Sequence, residues 1–200
     1  MPGLRLPGWF TGWLPRRCPE CGLPMLRDPT RRRHDCPACG IHAPYGHKSR
    51  DGAGTGAPGV DEAAFDQRGY HQIVVEHGRA GFLRGDYFGA VRDCCQGLEG
   101  LVRGRSGLEG YGRDLMARAL SPKERGKGLE TSLSGVSEKT RDSVQEGTMH
   151  LCMGIMASAR NPTAHESRSS FPISRHDALE ILSVISHVCR QIDRMGPRSR

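Results

Sequence analysis

Two Cys-x-x-Cys pairs near the amino end, Cys18-Pro-Glu-Cys21 and Cys36-Pro-Ala-Cys39, constrain this chain more than any other feature. Each pair can form a tight knuckle whose thiolates converge, and each is followed by a glycine, Gly22 or Gly40, that permits the backbone turn beyond it. The 14 residues between the pairs are enough for a small hairpin. Cys18, Cys21, Cys36 and Cys39 are therefore expected to hold a structural zinc ion, with redox or disulfide chemistry as the competing use. So short a segment has almost no apolar core, and a zinc affinity of about 10–16 kcal/mol would be most of its folding energy. His34, His42 and His47 lie nearby, but four thiolates already complete a closed site.

The pattern resembles a zinc ribbon, expected over residues 1–48. The same segment carries most of the charge: residues 1–50 contribute +6 of the net +7. Arg31, Arg32 and Arg33 would lie at the hairpin tip, where they could grip phosphate backbones without reading sequence. A solubilising turn or a protein-docking surface fits them as well. Residues 49–60, SRDGAGTGAPGV, are Gly-rich and read as a linker.

Beyond the linker the apolar period is 3.6, and strand-like alternation is absent, so residues 61–195 are expected to be an all-α bundle of four to five helices. A first helix should run from an Asp61 N-cap to about Gly78. Asp86 should open a second, with Phe88, Val91, Cys95, Leu98 and Val102 as one stripe. Residues 112–120 form a third, stopped by Ser121-Pro122. The polar stretch 123–143 reads as a loop. A fourth helix should cover about 142–159, with Val144, Thr148, Leu151, Cys152, Ile155 and Met156 inward. Ser174 caps a fifth, and residues 196–200 read as a frayed tail. Cys94, Cys95, Cys152 and Cys189 lie in helical patterns and are expected to be core residues. No apolar run approaches the roughly 18 residues a membrane span needs, and no signal peptide is evident, so a cytoplasmic protein is expected.

The most unusual stretch is Arg160-Asn161-Pro162-Thr163-Ala164-His165. On an unbroken helix, residues five apart are turned about 140° from each other, which would keep Arg160 and His165 apart. Pro162 disfavours helical geometry at Asn161 and removes a donor, so a kink that lets them converge is expected. A histidine can exchange a proton near neutral pH, and an arginine can neutralise charge developing on phosphate oxygens. Asn161 could orient a phosphate or cap the restarted helix. Caps and surface charges are the more ordinary use of such residues.

An Arg-polar pair followed by His at this distance, closing a bundle helix, resembles the signature of the HEPN superfamily, whose catalytic members are RNA endonucleases. Further segments resemble a narrower group, the Ymh-type family of bacterial and phage-associated proteins: Gly85 to Val91, Leu98-Glu99, Val102 to Leu108, Gly112 to Met116, Gln145 to Gly147, and Ala178 to Glu180. Together they cover about residues 70–194. The usual Lys-Ser-Gly of the family stands here as Arg105-Ser106-Gly107, and the stretch after Ser121-Pro122 is richer in Lys and Gly.

The resemblance implies a helical bundle that forms a homodimer, with two Arg/His pairs in a cleft between subunits. It implies that Arg160 steadies the phosphate, Asn161 positions it and His165 activates the ribose 2′-hydroxyl, giving 2′,3′-cyclic phosphate and 5′-hydroxyl ends with no catalytic metal. Arg105 is a further candidate RNA contact, with the helix dipole as its ordinary explanation. RNA is the expected partner, in a toxin, abortive-infection or anti-phage defence role that could involve an antitoxin. The alternatives are a non-catalytic module binding a nucleotide, nucleic acid or protein, and a structural subunit of a phage or defence complex.

Overall fold

The computed structural model describes residues 18, 25–31, 33–35, 42–44, 60–124 and 126–198. The chain divides into two compact units, residues 1–52 and 53–200, and the division falls within the Gly-rich stretch. In the first unit, β1 (Leu26–Asp28), β2 (Arg33–Asp35) and β3 (His42–Pro44) form an antiparallel sheet in chain order. Leu26 pairs with Asp35 and Asp28 with Arg33. Asp28 closes the first turn, because its carboxylate accepts the backbone N–H groups of Thr30 and Arg31 at 3.0 Å each.

The second unit is a helical bundle: α1 (Val60–Asp66), α2 (Gln72–Leu83), α3 (Tyr87–Ser106), α4 (Gly112–Leu120), α5 (Glu138–Ile155), a π-helical turn (Met156–Arg160), α6 (Asn161–His165) and α7 (Arg175–Asp193). The α3 helix is the central post. Its N-cap Asp86 accepts the Gly89 N–H at 2.8 Å, and Gly107 ends it in the left-handed conformation. Its stripe of Phe88, Val91, Cys95, Leu98 and Val102 is buried as the periodicity requires. The α2 helix lies close against it because Gly81 meets Ala90, where an added Cβ would sit 3.3 Å from the Ala90 side chain. Leu115, Met116, Ala119 and Leu120 bring α4 to the same core, and Ala178, Leu182, Ile185, Val188, Cys189 and Ile192 bring α7 to it. Burial pushes the Cys95, Cys152 and Cys189 thiols up to about 12, and Cys94 higher still, as expected of inert core residues.

Several expectations are corrected. The first helix is two. Gly69 takes φ 54°, and His71 begins anew by accepting the Ile73 N–H at its Nδ1. Asp61 is not an N-cap; it lies within α1 and is buried, with Arg175 Nε at 2.5 Å and the Tyr87 hydroxyl donating to it at 3.3 Å. Residues 123–143 are not all loop. There β4 (Leu129–Thr131) pairs antiparallel with β5 (Met195–Pro197), so Gly196-Pro197 is strand rather than frayed tail. The buried Gln145 amide holds this ribbon to the bundle: it donates to the Leu120 and Leu129 carbonyls and accepts the Thr131 N–H. Arg198 adds bonds to the Ser121, Glu124 and Leu129 carbonyls. The α5 helix begins at Glu138, four residues before the expected start, because Ser137 caps it by accepting the Thr140 N–H. Leu151, expected inward, is exposed. Among the described residues no helix is long and apolar enough to cross a membrane.

Candidate functional site

The kink expected at Pro162 is replaced by a different device. Asn161 stays helical at φ −65°, ψ −49°, and the turn before it widens so that its N–H reaches the Met156 carbonyl, five residues back. A proline in a regular helix collides with the carbonyl four residues earlier. The π-turn relieves that conflict upstream, where Met156 and Ala159 remain buried. Pro162 then sits in the first turn of α6, where its missing donor is tolerated. The Thr163 hydroxyl returns a bond to the Ala159 carbonyl at 2.7 Å. Such turns recur at functional sites.

The consequence is a divided arrangement. Asn161 and His165 are four apart on α6, share one face and are exposed. Arg160 instead turns toward α3 and the start of α4. Its side chain is 21% exposed, and its Nε lies 3.3 Å from Oε1 of Glu99, a carboxylate only 5% exposed. The same Glu99 oxygen accepts the Gly112 N–H at 2.6 Å. The guanidinium carbon lies 5.5 Å from the ring centre of Tyr111, a residue that is 69% exposed. A guanidinium anchored through Nε keeps two terminal amino groups as donors for an anion. Among the described residues no hydrogen bond or ion pair joins Arg160 to His165.

Glu99 and Tyr111 are partners the expected site did not include. The signal for Glu99 is its register: four residues after Cys95 and three before Val102, it lies on the buried stripe, where a carboxylate requires a partner. Tyr111 carries no comparable signal, since only the fold brings it to Arg160. Glu166 is exposed, and its N–H closes α6 on the Pro162 carbonyl at 2.8 Å.

Arg105 is committed within the bundle. Its guanidinium lies 3.5 Å from the Asp193 carboxylate and donates to the Asp193 and Met195 carbonyls at 3.2 and 2.7 Å. Asp193 also meets His71 Nε2 at 2.8 Å, so both ring nitrogens of that histidine have structural partners. Arg31 occupies the β1–β2 turn, exposed and 3.4 Å from Asp28, while Arg33 pairs with Asp35 at 2.8 Å. Arg32 lies outside the described residues. So do Cys21, Cys36 and Cys39; Cys18 is described and is buried. Among the described residues no group of three or more metal-ligating side chains gathers.

An open apolar groove of about 420 Å³ runs along α5 and α7 up to the residues before Arg160, lined by Gly147, Leu151, Gly154, Ile155, Ser158 and Val184 among others. Leu151 and Val184 are 45% and 40% exposed there.

No curated protein and no solved structure matches the chain. One family model does match, over residues 68–192, and its description is a protein of unknown function, Hypoth_ymh. The match takes in α2 through most of α7 and every residue of the Arg160 site, and the chain belongs to the Hypoth_ymh family.

Proposed function

We propose that the helical unit is a HEPN-type, metal-independent RNA endonuclease acting in a toxin or anti-phage defence role. The observation that carries this reading is the fixed Arg160. It is an arginine at the end of a bundle helix, anchored by a buried carboxylate at 3.3 Å, with exposed Asn161 and His165 in the next turn. Arg160 binds a phosphate oxygen through its terminal amino groups, Asn161 positions the phosphate, and His165 takes the proton of the ribose 2′-hydroxyl. The 2′-oxygen attacks phosphorus, the bond to the 5′-oxygen breaks, and the departing oxygen takes a proton from water. The products are a 2′,3′-cyclic phosphate and a 5′-hydroxyl.

Because no hydrogen bond or ion pair joins Arg160 to His165 among the described residues, the reading includes a homodimer in which two such centres share a cleft. The apolar groove on α5 and α7 is the surface a second copy covers in this account. The amino-terminal unit is taken as a zinc ribbon held by Cys18, Cys21, Cys36 and Cys39 that docks nucleic acid or a protein partner. Its support is the β1–β2 hairpin between the two cysteine pairs and the burial of Cys18.

A second reading, a non-catalytic binding module, draws on the Glu99 pair, which already offsets the Arg160 charge. The two are separated by offering the protein one oligonucleotide as RNA and as its 2′-O-methyl form. The nuclease cuts only the first. Binding of both with cutting of neither favours the module.

A further inference from the structure

Tyr111 is the most exposed large apolar side chain described in the helical unit, yet the backbone around it is held on every side. Arg118 donates to the Glu109 carbonyl at 2.7 Å, Arg103 donates to the Gly110 carbonyl at 3.2 Å, and Glu99 accepts the Gly112 N–H at 2.6 Å. The turn is also built on left-handed Gly110 and Gly112, at φ 122° and 63°. An exposed aromatic ring on a fixed turn gains nothing from core packing. Its ring meets the Arg160 guanidinium, 5.5 Å from the ring centre, and that guanidinium is itself anchored by Glu99. The ring and the cation thus form a single preset unit, an aromatic surface next to a phosphate-binding group. Successive parts of a single-stranded polynucleotide present that same pair, a base and its phosphate.

We propose that Tyr111 is a stacking platform for one unpaired nucleobase of single-stranded RNA, adjacent to the phosphate that Arg160 binds. The assignment rests on the ribonuclease reading and deepens it. It makes the substrate single-stranded, because a base inside a duplex is not available to stack on a side chain. Cleavage should fall at one side of the stacked base and show no strong sequence requirement, since every base has a face to offer.

The test uses the full chain carrying His165→Ala, so that RNA is bound without being cut, and a short single-stranded oligoadenylate with one 2-aminopurine. Stacking should quench the 2-aminopurine fluorescence. Adding Tyr111→Ala should weaken binding roughly tenfold and abolish the quenching, while Tyr111→Phe should preserve both. Thermal melting checks that the variants fold. If Tyr111→Ala binds and quenches as well as its parent, the platform is overturned while the nuclease reading stands. If the parent binds no oligoadenylate, the platform is overturned, and the nuclease reading is judged separately by cleavage of RNA with the unaltered chain.

Discussion

Glu99 and Arg160 are joined across the bundle, α3 to the π-turn, by a contact of 3.3 Å in which the carboxylate is nearly inaccessible and the guanidinium is partly open. The asymmetry gives the pair a direction. Glu99 also satisfies the Gly112 N–H, so it is fixed by α4 and in turn fixes Arg160. Replacing Glu99 with Ala leaves an unpaired cation and an orphaned donor, and should cost about 2–4 kcal/mol. Glu99→Gln keeps an acceptor for Gly112 and should cost about half as much. Urea unfolding of the two variants measures this.

The π-turn yields a coupled prediction. Deleting the exposed Ala157 would return the turn to α geometry and drive the Pro162 ring against the backbone, costing about 3 kcal/mol. Pro162→Ala in the same chain should recover most of that loss. If the two changes prove additive, Pro162 is not the reason for the widened turn.

Most of the bundle was legible in the sequence because its signals are local. The α3 stripe, the Asp86 and Ser174 caps and the stop at Ser121 depend on residues within a turn or two of one another. Of the expectations that failed, the break at Gly69 and the Ser137 cap of α5 rest on local signals, while others depend on distant partners. Asp61 resembles a cap until Arg175 and Tyr87 claim it, and residues 129–131 look like loop until 195–197 pair with them. The site divides in the same way: Arg160, Asn161 and His165 are visible as a motif, whereas Tyr111 is brought to Arg160 only by the path of the chain through α3 and α4.

The buried thiols set the alkaline limit of the helical unit. Cys95, Cys152 and Cys189 are pushed up to about 12 by burial, while an unfolded thiol ionises near 8.5. Below pH ~8.5 both states are protonated and this contribution is complete. As pH rises further, only the unfolded chain loses protons, so stability falls steadily until the folded thiols ionise in turn. Urea midpoints should be level from pH 7 to about 8 and decline by pH ~10. The decline should be smaller in a Cys152→Ala chain.

Leu151 tests the dimer. It is 45% exposed in the groove, so Leu151→Glu should leave the monomer folded while placing a charge in the contact surface. Sedimentation should show the parent as a dimer and the variant as a monomer with reduced RNA cleavage. An unchanged dimer would remove the groove from the account.

Zinc should be found at one equivalent per chain and be lost in Cys21→Ser. That change should unfold the amino-terminal unit and leave the melting of the helical unit unaltered, because the two units are separately compact.

Cutting of RNA through its own 2′-hydroxyl by Arg160 and His165 is measured by incubating total RNA with the purified chain in EDTA beside Arg160→Ala and His165→Ala, with end-group analysis of the fragments. The parent should cut and leave 2′,3′-cyclic phosphate ends, and each variant should lose activity by at least about 100-fold. An inert parent, or variants that cut as well as it does, would contradict the ribonuclease reading.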